Sequence, residues 1–351
     1  MSFALRCFIL ALCVLFAVYI IIDKMGAMES GSKRTMRLKP DAPWYNTSYD
    51  AEIEFKNYAV YPPANAILTS LQRQARTNTT RELHQAWALA PFGPLRENIV
   101  IAPNYNIASC QIEKIMTTVR DAVFCYLTNP TDYEAFNRSL SAEQWTGSPC
   151  GWSNYRSNID DVERETNTKF RRFAIIRNPF QRFLSAYVDK CLNERNFAPQ
   201  VRCLGCRYDM KCFVERLFHL LYGLQYSRTY IAREIWYVAR HFAPQSWQCN
   251  FKKQLSTYDI IVYPETSNRA DIISNEFDRV FKQAGVPQEL RSRIREELSK
   301  GRAHHSTYRS NARSNIESLI TSDRYIRRIL SLIYYYDYIV FGFDFDKALF
   351  D

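Results

Sequence analysis

Two arginines and a serine follow one apolar segment at spacings that suit anion binding. Residues 173–176 (FAII) predict a short buried strand, Arg177 stands at its end, and Arg182 and Ser185 lie in the helix predicted next. A guanidinium at the end of a buried strand needs an anion or a carboxylate, because an unpaired buried charge is costly. The pattern therefore has two interpretations. Either Arg177, Arg182 and Ser185 bind a phosphate, or Arg177 is a structural arginine paired with an aspartate or glutamate.

A second candidate for anion binding lies earlier in the chain, at residues 103–110 (PNYNIASC). It follows a strand predicted over 98–102, and Ser109 is predicted to cap a helix. The apolar face of that helix would contain Ile112, Ile115, Met116 and Val119. Backbone N–H groups at such a turn can hold an anion, with Lys114 as the nearest cation. The segment has no glycine and no Walker A pattern, so an ordinary strand-to-helix turn is the alternative.

These turns need a scaffold, and the remaining pattern indicates an α/β fold. A third apolar strand is predicted over 259–263 and is closed by Pro264. Helices are predicted over 211–225, 228–241, 269–285, 287–300 and 313–334, with a further helix near 66–76. Alternating strands and helices predict a central parallel sheet with helices on both faces. Because ligands bind beyond the carboxyl ends of such strands, we expect both turns to open at one edge.

The amino terminus predicts a membrane anchor. Residues 7–22 form an uninterrupted apolar run. With the residues before them the segment is about 20 residues long, which is enough to cross a bilayer. A cleaved signal peptide is the alternative. Positive charges flank both sides, so charge does not set the orientation. Sequons at Asn46, Asn78 and Asn137 and eight cysteines beyond the anchor favour a body in an oxidising lumen.

Composition and cysteine spacing limit the classes of partner. The 351 residues carry a net charge of +10, with 47% hydrophobic and 23% charged residues, which is typical of a globular protein with anionic partners. The lumenal features argue against nucleic acid. Cys203 and Cys206, near Cys191 and Cys212, suit disulfides better than zinc, because a second CxxC or a histidine pair is missing. We predict no metal and leave the disulfide pairing open.

The segment FAIIRNPFQRFLSAYVDKC, residues 173–191, resembles the 3'-phosphate-binding segment of Golgi carbohydrate sulfotransferases. The similarity is to the chondroitin and HNK-1 branch, and within it to nematode relatives of chondroitin 4-O-sulfotransferases. Further similarity lies in residues 241–249, 258–265 and 334–343, so that it spans about 98–345. The resemblance implies a P-loop-like sulfotransferase fold and the sulfuryl donor 3'-phosphoadenosine 5'-phosphosulfate (PAPS).

The resemblance also implies roles for particular residues. Arg177 and Ser185 would bind the donor's 3'-phosphate, with Arg182 between them. Residues 103–110 would form the 5'-phosphosulfate loop, in which Asn106, Ala108, Ser109 and Cys110 contact the donor. Asn106 would stand where the family usually has a lysine that contacts the sulfuryl oxygens. Either Lys114 or another cation would then substitute for it, or the protein would be slow or inactive.

Sulfuryl transfer to a hydroxyl requires a proton acceptor, and His241 and Glu113 are the candidates. His241 ends a predicted helix and Glu113 lies in the first predicted helix, so a capping role and a solvent contact are their alternatives. Of the other histidines, His219 lies in an apolar helical run, His84 precedes the domain, and His304 and His305 lie in a polar loop.

The expected protein is thus a single-pass type II Golgi membrane enzyme. Its segments would be an anchor over 1–22, a stem over 23–95 and a lumenal sulfotransferase domain over 96–351. It would transfer a sulfuryl group from PAPS to a glycosaminoglycan, with chondroitin 4-O-sulfation as the expected reaction. The alternative is a catalytically silent protein of this fold that binds sulfated glycans. A P-loop kinase fits poorly without Walker A glycines.

Overall fold

A five-stranded mixed sheet, with the strand order β3-β1-β2-β4-β5, organises the fold of the computed structural model. The strands are β1 (Ile99–Ala102), β2 (Ile107–Cys110), β3 (Tyr155–Arg156), β4 (Arg171–Ile176) and β5 (Tyr258–Val262). The structure describes residues 67–69, 87–93, 95, 97–136, 139–141, 150–151, 153–194, 202–226, 233–300 and 310–350, all within the compact unit Tyr45–Asp351.

The predicted anchor over 1–22 and the sequons at Asn46, Asn78 and Asn137 lie outside the described residues. Within the described ranges, no helix has the length and apolar character that crossing a bilayer requires. Of the helix predicted near 66–76, residues 67–69 are described, and they are helical.

The sheet is parallel only on one side. β2, β4 and β5 run parallel to one another, whereas β1 is antiparallel to both β2 and β3. The prediction of an α/β fold is confirmed, and the prediction of a wholly parallel sheet is wrong. The cause is a hairpin between β1 and β2 that replaces the expected turn into a helix.

That hairpin occupies the segment predicted as a strand-to-helix turn. Residues Pro103–Tyr105 form a 3₁₀ turn, and Asn106, with φ of 46°, reverses the chain into β2. All four residues of β2 are buried. A four-residue apolar stretch fits a buried strand or a helix equally well, so periodicity alone could not separate the two. The first helix therefore begins at Thr117, not near Ser109.

The hairpin places Asn106 at the wrong edge of the sheet for the expected site. The N–H of Arg171, at the start of β4, donates to the carbonyl of Asn106 at 2.8 Å. Arg177 follows the other end of β4, and six residues at about 3.3 Å each put the two positions about 20 Å apart. The carboxyl ends of β2, β4 and β5 instead meet at the edge that contains Arg177.

Twelve α-helices in the described residues that follow β2 pack around the sheet. They are α1 (Thr117–Thr128), α2 (Pro130–Ala135), α3 (Ile159–Thr166), α4 (Pro179–Tyr187), α5 (Met210–Tyr226), α6 (Arg233–Phe242), α7 (Phe251–Gln254), α8 (Arg269–Gln283), α9 (Gln288–Ser299), α10 (Asn311–Ser322), α11 (Arg324–Phe341) and α12 (Lys347–Phe350). The helix predicted over 313–334 is two helices, because the side chain of Asp323 accepts hydrogen bonds from N–H groups at the start of α11 and breaks the run. The other predicted helices lie close to observed ones.

Helices cover both faces of the sheet, as predicted. Val100 and Ala102 pack in one core with residues of α1 and α8, whereas Ile99 and Ile101 pack against α3 on the other face. This alternation follows from the two-residue period of a strand. A further core around Phe183 holds α4 against α5, α6 and α11, with rings of Phe213, Phe242 and Tyr334 in contact.

The eight cysteines expected in disulfides form four pairs. These are Cys110–Cys249, Cys125–Cys150, Cys191–Cys203 and Cys206–Cys212. The four cysteines weighed as zinc ligands are thus all joined to one another in disulfides, which leaves them no free thiolates.

Candidate active site

Arg177 joins the ends of all three parallel strands. Its Nη1 donates to the carbonyl of Lys114 at 3.2 Å, in the loop after β2. Its Nε and Nη2 donate to the carboxylate of Glu265, just after β5, at 2.5 and 3.1 Å. The guanidinium also lies 5.0 Å from the centre of the Tyr263 ring. The carboxyl edge of the sheet is therefore organised around this one side chain.

The pairing with Glu265 leaves Arg177 able to bind an anion. A guanidinium has five N–H donors, and the hydrogen bonds to Glu265 and Lys114 use three of them. Among the described residues, one donor on Nη1 and one on Nη2 have no partner. The Glu265 side chain is 26% exposed, against 8% for Arg177, so the pair lies at the boundary between core and solvent. The structural interpretation of Arg177 and the phosphate-binding one are compatible.

The loop between β2 and α1, residues 111–116, has its carbonyl groups bound by arginines. Arg120, which is fully buried, donates to the carbonyls of Cys110, Ile112 and Ile115. The two carbonyls between those of Ile112 and Ile115 are bound by other arginines: Arg182 of α4 donates to that of Glu113 at 3.1 Å, and Arg177, which follows β4, donates to that of Lys114. The oxygen atoms of this loop are thus directed toward the protein interior.

The N–H groups of the same loop are left for a ligand. Lys114 and Met116 have left-handed φ angles of 70° and 59°. Within the described ranges, no hydrogen bond joins the N–H groups of residues 112–116 to another group. Successive N–H groups at alternating backbone conformations, followed by the start of a helix, form an anion-binding concavity. The loop can therefore bind phosphate or sulfuryl oxygens without glycine.

Lys114, a residue of this loop, supplies a cation. Its Nζ lies 2.7 Å from Oδ2 of Asp189, which follows α4. Burial lowers the pKa of Lys114, and the attraction of Asp189 only partly offsets this effect. Burial alone would raise the pKa of Asp189, but the charges of Lys114 and Lys190 outweigh it and lower that pKa to about 2. Asp189 is therefore ionised and fixes the ammonium group.

Glu113 and His241, the two candidate proton acceptors, lie together. The distance between His241 Nε2 and Glu113 Oε2 is 3.7 Å, and Arg240 forms an ion pair with the same carboxylate. Nδ1 of His241 lies 2.6 Å from the carbonyl of Tyr237, so Nδ1 must carry the proton and Nε2 is the basic atom. Burial, followed by the charges of Lys190 and Arg240, lowers the pKa of His241 well below its usual value. The imidazole is consequently neutral at pH 7.

Ser185 and Arg182 face the loop from α4. Arg182 is fully buried, its Nη1 donates to the carbonyl of Ala243 at 3.0 Å, and its Nη2 has no hydrogen-bond partner among the described residues. Ser185 lies one turn after Arg182 and one turn before Asp189, so all three share one helix face. Since Arg182 and Asp189 contact residues 113 and 114, that face borders the loop.

Comparison with known proteins assigns a family to this arrangement. The model of the sulfotransferase family matches residues 97–344. The Caenorhabditis elegans protein "Carbohydrate sulfotransferase chst-1" is 31% identical over 261 residues, which cover 73% of this chain and 78% of that protein. The chain belongs to the sulfotransferase family. An uncharacterized protein of the same nematode is 25% identical over 302 residues, covering 83% of this sulfotransferase and 80% of its own length. No solved structure shows a significant match.

The structure of this sulfotransferase gathers some of the predicted site residues and separates others. Those at the carboxyl edge are Glu113, Lys114, Arg177, Arg182, Ser185 and His241. Asn106 lies at the opposite edge, too far from Arg177 to share a ligand with it. Ala108 and Ser109 are buried within β2, where the Ser109 hydroxyl accepts a hydrogen bond from Arg120, and Cys110 is in a disulfide. The candidate anion loop is therefore 111–116 and not 103–110.

Sequence reasoning missed several residues that complete the site of this sulfotransferase. They are Arg120, Asp189, Arg240, Gln245 and Glu265. A signal existed for Glu265, because an acid after Pro264 at the end of a buried strand mirrors Arg177 at the end of β4. Arg120 carried no such signal, since its partners are backbone carbonyls, which every sequence contains.

Replacing Arg120 tests whether it shapes the loop of the sulfotransferase. Arg120→Met would leave several buried carbonyls unpaired, each at about 1–3 kcal/mol, so we expect a loss of at least about 3 kcal/mol in the free energy of unfolding. We also expect weaker binding of adenosine 3',5'-bisphosphate, measured by calorimetry, with Arg120→Lys intermediate in both. Arg291→Met is the matched control, because Arg291 is also a buried arginine but pairs with Asp278 between α8 and α9. It should lose stability and keep nucleotide affinity. An Arg120→Met variant as stable as the parent would contradict this role.

Proposed function

We propose that this sulfotransferase moves a sulfuryl group from PAPS to a hydroxyl of a glycan. The observation that carries the proposal is the meeting of two anion sites at one sheet edge. One is formed by the N–H groups of residues 112–116, and the other by the two Nη donors of Arg177 that have no partner among the described residues. A hydrogen bond of 3.2 Å between Arg177 and the carbonyl of Lys114 fixes the two sites relative to each other. PAPS has two separate anionic groups, a 3'-phosphate and a 5'-phosphosulfate, which match this pair.

The residues present suit both ends of the donor. Arg177 and the Ser185 hydroxyl would hold the 3'-phosphate, as the family resemblance implies. Loop 111–116 and Lys114 would hold the 5'-phosphosulfate. The buried Arg182, with an unpartnered Nη2 among the described residues, adds positive potential between the two. Lys114 would thus contact the sulfuryl oxygens, the role that the resemblance gives to the family lysine at the position of Asn106.

The reaction would be an in-line displacement at sulfur. The acceptor hydroxyl oxygen forms a bond to sulfur, the bond from sulfur to the phosphate oxygen breaks, and adenosine 3',5'-bisphosphate leaves. Lys114 and the loop N–H groups would stabilise the charge that develops on the transferred and leaving oxygens. The hydroxyl proton would pass to Nε2 of His241, which is neutral and unprotonated at that atom. Glu113, at 3.7 Å, would stabilise the resulting imidazolium.

A carbohydrate acceptor is supported by the similarity to a protein named carbohydrate sulfotransferase. The net charge of +10 favours an anionic polymer such as a glycosaminoglycan, because the opposite charge attracts the acceptor to the protein. Chondroitin, sulfated at a 4-hydroxyl, is the specific acceptor that we propose on the basis of the resemblance.

The silent alternative rested on the presumed loss of a lysine at Asn106. Because Asn106 lies at the opposite edge and Lys114 lies within the anion loop, we do not base the silent alternative on Asn106. It makes a distinct prediction all the same, because a silent protein would bind adenosine 3',5'-bisphosphate and transfer nothing.

Transfer of labelled sulfuryl groups tests the proposed function. Purified full-length protein in detergent should transfer label from PAPS to desulfated chondroitin. Arg177→Ala should raise the KM for PAPS by about 10- to 100-fold, because a charge-assisted hydrogen bond contributes about 1.5–3 kcal/mol. Arg171→Ala is the matched control at the other end of β4, where the side chain is exposed and donates to Gln283. Incorporation unaffected by Arg177→Ala would refute the site assignment.

The proton acceptor can be identified from pH profiles. Because the pKa of His241 lies below 6.5, kcat/KM should stay level as the pH falls from 8 to about 6.5 and decline only below that, when Nε2 becomes protonated. His241→Asn should lower kcat by about 10²- to 10⁴-fold and leave donor affinity unchanged. Glu113→Gln is the comparison. Unchanged turnover in folded His241→Asn would exclude the histidine, and loss confined to Glu113→Gln would make the carboxylate the base.

We also propose that the protein is a type II Golgi membrane protein with residues 96–351 in the lumen. Four disulfides in the described residues support an oxidising compartment. Chain made in cells should lose mass on treatment with an N-glycosidase, and replacing Asn46, Asn78 and Asn137 together with glutamine should abolish the shift. If the parent chain has the same mass before and after treatment, a lumenal location of residues 96–351 is contradicted.

A further inference from the structure

One short segment contacts three parts of the candidate donor site. Residues 243–249 follow α6, and we call them the support turn. The carbonyl of Ala243 accepts a hydrogen bond from Nη1 of Arg182 at 3.0 Å. The side chain of Gln245 binds the backbone of Arg177. Cys249 forms a disulfide with Cys110, the residue directly before loop 111–116. The support turn therefore connects the elements assigned to the 3'-phosphate with those assigned to the 5'-phosphosulfate.

Gln245 fixes both polar backbone groups of Arg177. Its Oε1 accepts a hydrogen bond from the N–H of Arg177 at 2.8 Å, and its Nε2 donates to the carbonyl of Arg177 at 2.8 Å. The β4–β5 ladder ends one residue earlier, at the carbonyl of Ile176, which accepts from the N–H of Tyr263. Gln245 thus extends the ladder by one position with a side-chain amide, beyond the point where the strands supply partners.

Gln245 is itself held in place. It is fully buried, its own N–H donates to Oδ2 of Asp337 at 2.6 Å, and the next N–H, of Ser246, donates to Oδ1 at 2.8 Å. Asp337 is a fully buried residue of α11. The indole N–H of Trp247 donates to the carbonyl of Ala90 at 2.8 Å. The amide of Gln245 has little freedom to move, and it transmits that constraint to Arg177.

We propose that Gln245 is the positioning residue that sets the Arg177 guanidinium against loop 111–116 and so fixes the spacing between the two anion sites of the donor. The inference rests on the proposed function and names a residue that would contact no ligand. A long side chain such as arginine magnifies any movement of its backbone, and a misplacement of about 1 Å can cost about 100-fold in a binding or catalytic step. Without Gln245, the residue after Ile176 would lose both hydrogen bonds that define its backbone.

A double-mutant cycle tests this inference. Affinity for adenosine 3',5'-bisphosphate is measured by calorimetry on the full chain for the parent, Gln245→Met, Arg177→Ala and the double variant. Methionine fills a similar volume and makes no hydrogen bond to Arg177. We expect Gln245→Met to weaken binding by about 10- to 100-fold. The double variant should bind no more weakly than Arg177→Ala, because Gln245 acts through the arginine.

Two controls separate positioning from general structural damage. Gln248→Ala alters the same turn at another buried glutamine, whose Nε2 has no hydrogen-bond partner among the described residues, so it should leave affinity within about twofold. In transfer assays Gln245→Met should raise the KM for PAPS and leave the KM for the glycan unchanged. Gln245→Glu keeps the acceptor for the Arg177 N–H and loses the donor, so its affinity should lie between the parent and Gln245→Met.

The outcomes distinguish this inference from the proposed function. A folded parent that does not bind the bisphosphate would overturn both. A parent that binds it, with Gln245→Met unchanged, would overturn the positioning role alone. Additive losses in the double variant, or an equal rise in the KM for both substrates, would also overturn the positioning role. Should Gln245→Met fail to fold, an affinity for Gln245→Glu equal to that of the parent would overturn the role.

Discussion

The candidate site depends on guanidinium groups that bind backbone carbonyls. Arg120, Arg182 and Arg177 together donate to the oxygens of loop 111–116 and of the residue before it, and they draw those dipoles inward. The N–H groups of residues 113–116 lie at the opposite ends of these peptide units and are thereby turned to the side where a ligand would lie. Three buried cations behind the loop add a positive potential that solvent does not screen. In glycine-rich loops the conformational freedom of glycine lets the N–H groups face a ligand, whereas in this loop the arginine side chains hold them in that orientation.

An ion pair and a proposed ligand site coincide at Arg177 because a guanidinium has more donors than one carboxylate can use. Glu265 takes the Nε side and orients the group, and the outer Nη donors stay available. A second carboxylate beside Arg177 would remove the positive potential of the guanidinium. Without any carboxylate, the Arg177 side chain would be mobile. The single carboxylate, which is more exposed than Arg177, holds the arginine in place and leaves two of its donors for the proposed anion.

The elements predicted well were those with local signals. Residues 173–176 with the following RNP give β4 and α4, and the apolar run closed by Pro264 gives β5. The 103–110 segment failed because IASC suits a strand and a helix alike, and only pairing with β1 and β4 decides between them. The partners of Arg120 and the left-handed backbone at Lys114 carry no sequence signature. Residues 241–249 were noted as similar to the family, but Gln245 contacts Arg177 across 68 positions, which only the fold makes visible.

Lys114 occupies a backbone region that glycine enters freely and that costs other residues about 1–2 kcal/mol. Glycine at this position would relax the chain and delete the ammonium group, so conformational ease and chemistry oppose each other at a single residue. No single side chain gives both an unstrained backbone and a positive charge, because the strain comes from the Cβ atom and the ammonium group can be attached only through that atom. The requirement for a cation at position 114 therefore limits the thermal stability of this loop. We expect that stabilising substitutions at this position would lower the activity.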